Sequence, residues 1–485
     1  MQCVRQLVFP GFHVGKEDPA SAEELTDLGV GGFCLYGGAV RDVAALTRRL
    51  QRRARVPLLF CADYEDGLAS HVRGGTALPS NMGLGAAGRP ELAFEKGRIT
   101  AVEARALGVR WVFAPVVDLA TRAENPIVNV RSFGRDPGRV SRLAAAYLRG
   151  LRGERVLGSL KHFPGHGETR EDSHLELPAL DVPMARLFPR ELRPYRDNLA
   201  AAGSVMVGHL AVRAAGDDRG TPASLSRKVT GGWLRGRLGY RGLVVTDALM
   251  MRAVSERFPE LKACLGALGA GADVLLVPDD PRALLARLPA ALEAAGLGGQ
   301  ARAAFARLLR AKQSCGLFDD GGLDPEGELS LVGCARHRAA ADRLAEAVLT
   351  RVGSGGIRLP RTVSYMEPGT RRGDWKGKPL LKALRELGVR IADRGEAALA
   401  GVFVGPRAYS GRIRLSAVEL GDLERVLRGP GPAVVVSFGS PFVFGQLRGR
   451  PAGLCAFSPS EPLQRAAARV LVGAARARGR MPVDL

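Results

Sequence analysis

The chain has 485 residues, which is too long for one small hydrophobic core, so we expect two domains. Its 46% hydrophobic and 25% charged residues are ordinary for a globular protein, and the net charge of +21 comes mainly from arginines scattered through helix-like segments. Since no dense basic run with interleaved aromatic residues is present, we predict a solvated basic surface and exclude a nucleic-acid partner.

The seven cysteines are scattered, form no CxxC pair and are odd in number. This usage is typical of reduced thiols and argues against a disulfide framework. The N-terminal sequence MQCVRQLVFPGFHVG lacks the apolar core of a secretory leader, and no apolar run reaches the length of a membrane span. We therefore expect a cytoplasmic protein, monomeric and without a membrane partner.

Eight short apolar runs divide the first two-thirds of the chain, and most are continuous rather than alternating. Continuous runs are typical of parallel strands that are buried on both faces. The predicted strands are Leu7–Phe12, Gly32–Tyr36, Pro57–Asp63, Trp111–Asp118, Val156–His162, Ser204–His209, Leu243–Asp247 and Ala272–Val277. The predicted helices between them include Asp42–Ala54, Pro90–Leu107, Arg139–Arg152, Leu187–Ala202 and Arg227–Leu238. This α/β alternation predicts an N-terminal (β/α)8 TIM barrel over residues 1–320.

The last third of the chain predicts a second, smaller domain. A helical stretch at Asp280–Lys312 is followed by a candidate linker at Gly316–Gly322. Beyond the linker, Arg336–Leu349 has the pattern of a helix, and apolar runs predict strands at Ala398–Val404 and Ala433–Phe438. We assign a smaller α/β domain to residues 331–485.

Five predicted barrel strands run into chemically active side chains at their C-terminal ends. These residues are Asp63, Asp118, the pair Lys161 and His162, His209 and Asp247. The active site of a TIM barrel lies at this end of its strands. A single residue of this kind is explained equally well as a helix cap or a loop ion pair, but five together indicate an active site.

The stretch Lys161–Gly167, KHFPGHG, and the following Asp172-Ser173-His174 form the most informative segment. Glycine and proline stiffen the loop, and a carboxylate two residues before an imidazole can fix its tautomer and raise its basicity. We therefore predict proton transfer by His174 with Asp172 behind it. The structural alternative is an Asx turn with a solvent-exposed histidine.

Asp247 closes the apolar run that starts at Leu243, and a carboxylate there can act as a nucleophile if nearby cations keep it ionised. Lys161 and Arg131 are the candidate cations, and a helix N-cap is the structural alternative. The carboxylates of Asp63-Tyr64-Glu65-Asp66 can accept from sugar hydroxyls, and the planar fork of Arg131 can donate to oxygens. A solvated acidic loop and a loop ion pair are the respective alternatives.

A zinc site is a further alternative, since His162, His166, Asp172 and His174 offer enough ligands. Pro164 and Gly165 interrupt the spacing of the first two histidines, so these do not align on one helix face. We therefore predict no metal and no cofactor.

Together these segments resemble glycoside hydrolase family 3, and specifically its bacterial β-N-acetylhexosaminidase branch. The matching segments in chain order are the acidic loop at Asp63, Arg131–Gly134, Lys161–Gly167, Asp172–His174, Met206–His209, Pro222–Ser226, Leu234–Tyr240 and Thr246-Asp247. The resemblance covers roughly residues 8–318. Beyond it, Val434–Pro441 and Gly479–Val483 are similar to the α/β/α sandwich domain of longer members.

The resemblance implies a role for each matching residue. Asp247 would be the nucleophile that forms a covalent glycosyl intermediate, and His174 with Asp172 would be the general acid and then the general base. The side chains that would hold the sugar are Asp63, His71, Arg131, Lys161, His162, Met206 and His209. The family usually reads D-x-E-G-G-R-V-x-R after the third strand, whereas this chain has Leu68 and His71 in place of the two arginines. Arg73, two residues on, is a candidate to substitute for the second one by loop adjustment.

The predicted function is that of a retaining, exo-acting β-N-acetylglucosaminidase that acts on muropeptide or chitooligosaccharide fragments in peptidoglycan recycling. Three alternatives are kept open. A β-glycoside phosphorylase is one, because a histidine acid/base adds no negative charge that repels phosphate. A catalytically silent sugar-binding protein and a metal-dependent barrel hydrolase are the others.

Overall fold

The computed structural model describes residues 2–217, 220–319, 328–406, 413–449 and 451–485. Eight parallel strands form a barrel whose first strand is interrupted at Pro10. The strands are Val8–Phe9 with Gly11–His13, Cys34–Tyr36, Phe60–Ala62, Val109–Val112, Leu157–Phe163, Ser204–Val207, Leu243–Thr246 and Leu275–Leu276. The last strand pairs with Val8–Phe9, and Val245 bridges to Val274, so the barrel closes. The predicted TIM barrel is confirmed.

Apolar side chains fill the barrel interior. Trp111 is fully buried, and its indole Nε1 donates to the Ser204 hydroxyl at 2.7 Å across the barrel. Its ring packs edge-on against Phe9 and Phe113, with centroids 5.7 and 4.9 Å away. The floor beneath the C-terminal ends of the strands is therefore a packed core.

Helices surround the barrel, and several of them begin at a proline or a capping side chain. The α-helices of this part are Gln2–Arg5, Pro19–Leu28, Val40–Arg53, Asn81–Ala87, Pro90–Ala106, Pro137–Gly153, Met184–Leu187, Arg193–Asn198, Arg252–Ser255, Glu260–Ala270, Pro281–Ala294 and Gly298–Ser314. Short 3-10 turns lie at Leu68–Ser70, Asn129–Arg131, Arg213–Ala215 and Ala223–Leu225. A two-stranded sheet pairs Ala179–Leu180 with Ala211–Val212. No helix in the described part of the chain is both long and apolar enough to span a bilayer.

Three helix predictions need correction. The predicted helix Leu187–Ala202 is two short helices, because Pro189 and Pro194 each remove a backbone donor and break the hydrogen-bond ladder. The stretch Asp280–Lys312 is also two helices, separated by a turn in which Gly296 has a φ of +67°. Residues 227–237 form a π-helix.

The second domain contains a six-stranded, mixed sheet, as the predicted sandwich requires. In spatial order its strands are Thr350–Val352, Gly453–Cys455, Ala433–Ser437, Ala397–Val402, Thr362–Met366 and Arg390–Ile391, and only the first pair is antiparallel. Its α-helices are Ala335–Val348, Lys378–Glu386, Ala417–Leu427 and Glu461–Leu471, with 3-10 turns at Arg372–Asp374 and Pro441–Gln446. The predicted linker reaches residues 320–322, which lie outside the described residues, and the domain boundaries stay a prediction.

The sheet of the second domain uses its two faces differently. Val434 and Val436 face the main hydrophobic cluster, to which Leu380 and Leu463 of two domain helices also belong. Val435, which points the other way, belongs to a second cluster with the barrel residues Met82 and Val130 and the C-terminal Val483. One face of the sheet is thus packed against the barrel, next to the loop that carries Arg131.

Candidate active site

A cavity of about 890 Å³ opens where the barrel strands end. Eight of the predicted site residues line it, namely Asp63, His71, Arg131, Lys161, His162, His174, Met206 and Asp247. The carboxyl group of Asp247 and the imidazole of His174 therefore share one cavity, although they come from different barrel units. Pro406 of the second domain also lines it.

Asp247 directly follows the seventh strand, and its Oδ1 accepts from the Ala248 amide at 2.9 Å. Burial alone would raise its pKa, but the charges of His162, His209 and His174 and this hydrogen bond outweigh burial and lower the pKa to about 2. The carboxylate is therefore ionised at neutral pH. Since Met251 occupies the N-cap of the next helix, the helix-cap alternative for Asp247 does not hold.

Asp172 and His174 form the predicted pair. Nδ1 of the ring lies 2.8 Å from Asp172 Oδ1, which also accepts from the His174 backbone amide at 2.9 Å. An ionised carboxylate only accepts, so Nδ1 carries the proton and Nε2 is the basic nitrogen of the neutral ring. The hydrogen bonds of Asp172 form an Asx turn, as the structural alternative predicts. The His174 side chain is only 23% exposed and lines the cavity, however, so it is not the solvent-exposed histidine of that alternative.

Lys161 and Arg131 are neutralised by the acidic loop after the third strand. Lys161 Nζ lies 2.6 Å from both Asp63 Oδ1 and Glu65 Oε1, and Arg131 donates two bonds of 2.7 and 2.9 Å to Glu65. Burial opposes ionisation of Glu65, but these two cations hold its pKa well below its usual range. Lys161 and Arg131, the candidate cations for Asp247, are thus paired with the acidic loop, and the groups that lower the pKa of Asp247 are His162, His209 and His174 instead.

His162 is oriented by a buried carboxylate. Its Nδ1 lies 2.7 Å from Asp118 Oδ2, and the backbone amides of His162 and His166 also donate to Asp118. Burial opposes the ionisation of Asp118, while the charge and hydrogen bond of His162 lower its pKa. With Nδ1 held, His162 Nε2 lies 3.4 Å from Arg131 Nη2, which fixes the ring beside the basic cluster.

The structure does not support the predicted sugar contact of His209. This ring is fully buried, with Nδ1 2.8 Å from the Ser224 hydroxyl and Nε2 3.0 Å from the Ala248 carbonyl. Both nitrogens are thus engaged, and a sugar hydroxyl would have to displace one of these bonds. His209 instead supports the backbone beside Asp247.

The two positions of the acidic loop at which the family usually has arginine, Leu68 and His71, have different surroundings in the structure. Leu68 is fully buried, whereas His71 lines the cavity with its ring near Tyr36 and Tyr64, at centroid distances of 6.4 and 6.3 Å. Arg73, the candidate substitute for the missing arginine, lies outside the cavity lining in this structure. Its backbone pairs with Gly38 and Val40, and its side chain is exposed outside the cavity lining.

One positioning residue, Lys96, was missed by sequence reasoning, whereas Glu65 and Asp118 were singled out and are found to hold Arg131 and His162. Lys96 is fully buried in the helix Pro90–Ala106, and its Nζ donates to Asp66 at 3.0 Å and to Asn81 Oδ1 at 2.9 Å. The Asn81 amide then donates to the Arg131 carbonyl at 2.8 Å. A buried lysine in an amphipathic helix gives no sequence signal that separates it from a solvated one.

Replacing Lys96 with methionine is expected to lower the free energy of unfolding by about 2–4 kcal/mol, because Asp66 and Asn81 lose their shared donor. Chemical denaturation monitored by circular dichroism measures this change. On the same helix, Arg98 pairs with Glu95 near the surface, so Arg98→Met is the matched control and should cost less than about 1 kcal/mol. Equal losses in the two variants would contradict a special role for Lys96.

The proposed zinc ligands have other partners. His162 is held by Asp118, while Nδ1 of His166 lies 2.8 Å from the Thr169 hydroxyl, and burial lowers the pKa of His166 to about 4. Within the described ranges, no group of three or more histidine, cysteine, aspartate or glutamate side chains is arranged to hold a metal ion.

Comparison with known proteins identifies the family. Residues 2–311 match the sequence model described as glycosyl hydrolase family 3 N terminal domain. The chain belongs to glycosyl hydrolase family 3. The resemblance inferred from the motifs is thereby confirmed, and the matched region corresponds to the barrel.

Several curated proteins are similar in sequence to this chain. Beta-hexosaminidase A of Pseudoalteromonas piscicida is 30% identical over 379 residues, which cover 70% of this chain and 62% of the relative. A beta-N-acetylglucosaminidase/beta-glucosidase of Cellulomonas fimi is 32% identical over 346 residues, or 69% and 61% of the two chains. This chain therefore spans about three-fifths of the length of these two relatives.

Solved structures of other proteins share the two-domain fold. A beta-N-acetylglucosaminidase from Paenibacillus superposes with a TM-score of 0.89 at 30% identity and covers 100% of this chain and 98% of that one. A beta-glucoside phosphorylase superposes with a TM-score of 0.92 at 23% identity, covering 100% and 94%. The second likeness establishes the fold alone.

Proposed function

We propose that this family 3 protein is a retaining, exo-acting β-N-acetylglucosaminidase that removes terminal β-linked N-acetylhexosamine. One observation carries the proposal: ionised Asp247 and His174, whose ring is paired with Asp172, line the same cavity. The names of the relatives from Pseudoalteromonas, Cellulomonas and Paenibacillus support the sugar preference. Membership in a glycoside hydrolase family supports the reaction class.

In the first step, a carboxylate oxygen of Asp247 attacks the anomeric carbon and forms the glycosyl ester. The bond to the aglycone oxygen breaks, and its electron pair takes a proton from Nε2 of His174. Asp172 stabilises the imidazolium before this transfer, since its carboxylate accepts from Nδ1 at 2.8 Å.

In the second step, water attacks the anomeric carbon of the ester, and His174 Nε2 takes the proton that the water releases. Asp247 leaves as a carboxylate, so two displacements give net retention of configuration. The low pKa of Asp247 suits it to this leaving role. The imidazole of His174 is thus the general acid and base, a role that a second carboxylate has in most retaining glycosidases.

The polar cluster of Asp63, Glu65, Lys161 and Arg131 is proposed to hold the sugar hydroxyls. These groups are already fixed by mutual ion pairs of 2.6–2.9 Å, so little reorganisation is needed on binding. The packed barrel core around Trp111 closes the floor beneath them. A polysaccharide cannot thread through such a cavity, so we propose that only a chain end enters.

We propose muropeptide or chitooligosaccharide fragments as natural substrates, and peptidoglycan recycling in the cytoplasm as the setting. A net charge of +21 favours fragments that carry carboxylates. The reduced, scattered cysteines are compatible with that compartment.

Phosphorolysis is the second candidate, because the neutral imidazole of His174 adds no negative charge where phosphate would attack. A panel of aryl β-glycosides, assayed with and without inorganic phosphate, separates the possibilities. We expect the aryl N-acetylglucosaminide to be cleaved faster than the aryl glucoside, and free sugar to be the product with or without phosphate. Addition of EDTA should not change the rate. Formation of sugar 1-phosphate in the phosphate buffer would show that the enzyme is a phosphorylase and not a hydrolase. Loss of activity in EDTA would indicate a metal-dependent hydrolase. Inactivity on every glycoside would indicate a silent binding protein.

A further inference from the structure

The loop that carries Arg131 lies between the barrel and the second domain. Arg131 ends the short 3-10 turn that starts at Asn129, and its guanidinium donates to the Ile127 carbonyl at 3.0 Å. Ile127 and Arg131 both line the cavity. The position of this loop therefore sets the position of a proposed sugar-binding side chain.

One side chain connects the back of this loop to the second domain. Asn129 Nδ2 donates to the Ser440 hydroxyl at 3.1 Å, and both residues are almost fully buried. Asn129 has a φ of +34°, an unusual conformation that asparagine tolerates better than most residues. Ser440 is itself fixed, since its amide donates to the Val404 carbonyl at 2.6 Å and its carbonyl accepts from the Ser437 hydroxyl at 2.8 Å.

The C-terminal segment Met481–Leu485 contacts the same loop at a second place. The Arg135 amide donates to the Pro482 carbonyl at 3.2 Å, and a Cβ placed on Gly134 would come within 2.9 Å of the Pro482 side chain. Val483 is buried in one cluster with Val128 and Val130 of the loop. Arg135 and Asp484 form an ion pair outside this cluster.

We propose that the second domain is part of the active site of this protein, because Ser440 and the segment Met481–Leu485 position Arg131 for the substrate. The role rests on the proposed function. Asn129 and Ser440 are positioning residues that act through the loop. Asp247 and His174 lie on other barrel units, so loss of the contact affects sugar binding more than the chemistry of bound substrate.

The test is kinetic. In the full-length protein, Ser440→Ala is expected to raise KM for an aryl β-N-acetylglucosaminide about fivefold or more, with kcat changed less than twofold. The weakening of inhibition by free N-acetylglucosamine should match the rise in KM. Ser440→Thr keeps the hydroxyl and should restore KM, and a variant that ends at Arg480 should resemble Ser440→Ala.

The matched control is Ser458→Ala, which removes a buried serine of the same domain that accepts from the Ser460 amide. It should leave KM unchanged. Hydrogen–deuterium exchange provides a readout that is independent of activity: residues 126–135 should exchange faster in Ser440→Ala and in the shortened chain, while residues 243–246 do not change. If KM and loop exchange in both variants equal those of the wild-type protein, this role is overturned. If the wild-type protein is inactive but the loop exchanges faster in the variants, only the proposed function is overturned.

Discussion

Replacing Asp247 with glycine is expected to lower kcat by at least about 10⁴-fold, because it removes the carboxylate that is proposed to form the glycosyl ester. Steady-state hydrolysis of an activated aryl β-N-acetylglucosaminide measures the loss. Azide is small enough to occupy the space of the missing carboxylate and should restore turnover. A single displacement by azide inverts the anomeric centre, so the product should be the α-glycosyl azide, which NMR identifies.

Asp247→Asn is the control for folding, since it keeps the size of the side chain and is expected to be inactive with an unchanged melting temperature. A β-glycosyl azide from the glycine variant would contradict the assignment of Asp247 as nucleophile, because retention would require an intact first displacement. Residual activity above about one part in a hundred would contradict it as well.

Replacing His174 with alanine is expected to produce a loss that depends on the leaving group. Cleavage of a substrate with a poor leaving group, such as a disaccharide, should slow by about 10³-fold or more, because the departing oxygen needs a proton. The first step with an activated aryl leaving group should change by less than about 10-fold. Pre-steady-state release of the aryl alcohol isolates that step from hydrolysis of the ester.

Two further variants test the dyad around His174. Asp172→Asn should reproduce much of the loss, since an amide can present either a donor or an acceptor to Nδ1 and no longer fixes the tautomer. Glu176→Gln changes an exposed carboxylate on the same loop and should behave as wild type. Equal losses for good and poor leaving groups in His174→Ala would show that this residue is not the acid.

Much of the barrel could be predicted because its strands are buried on both faces and read as continuous apolar runs. The run at Val156–His162 overlaps the observed strand Leu157–Phe163, and the run at Leu243–Asp247 contains the observed strand Leu243–Thr246. The chemistry-bearing residues at their ends also line one cavity. Parallel strands of a closed barrel must bring their C-terminal ends together, so this grouping follows from the fold.

Sequence reasoning failed where the role of a side chain depends on a partner that is not adjacent to it in the sequence. His209 looked like a sugar ligand because the sequence could not show that Ser224 and Ala248 engage both ring nitrogens. The contact between Asn129 and Ser440 joins positions 311 residues apart, and no local pattern predicts it. The broken helix near Pro189 and Pro194 was different, since the two prolines were visible in the sequence.

The central claim is that Asp247 bonds covalently to a sugar while His174 serves the same anomeric carbon. A 5-fluoro-N-acetylglucosaminyl fluoride tests it most directly, because the ring fluorine slows both displacements and the good leaving group favours the first. We expect the mass of the intact protein to rise by one fluorosugar, and peptide sequencing to place that mass on Asp247. An adduct on any other residue, or inactivation without an adduct, would contradict the account.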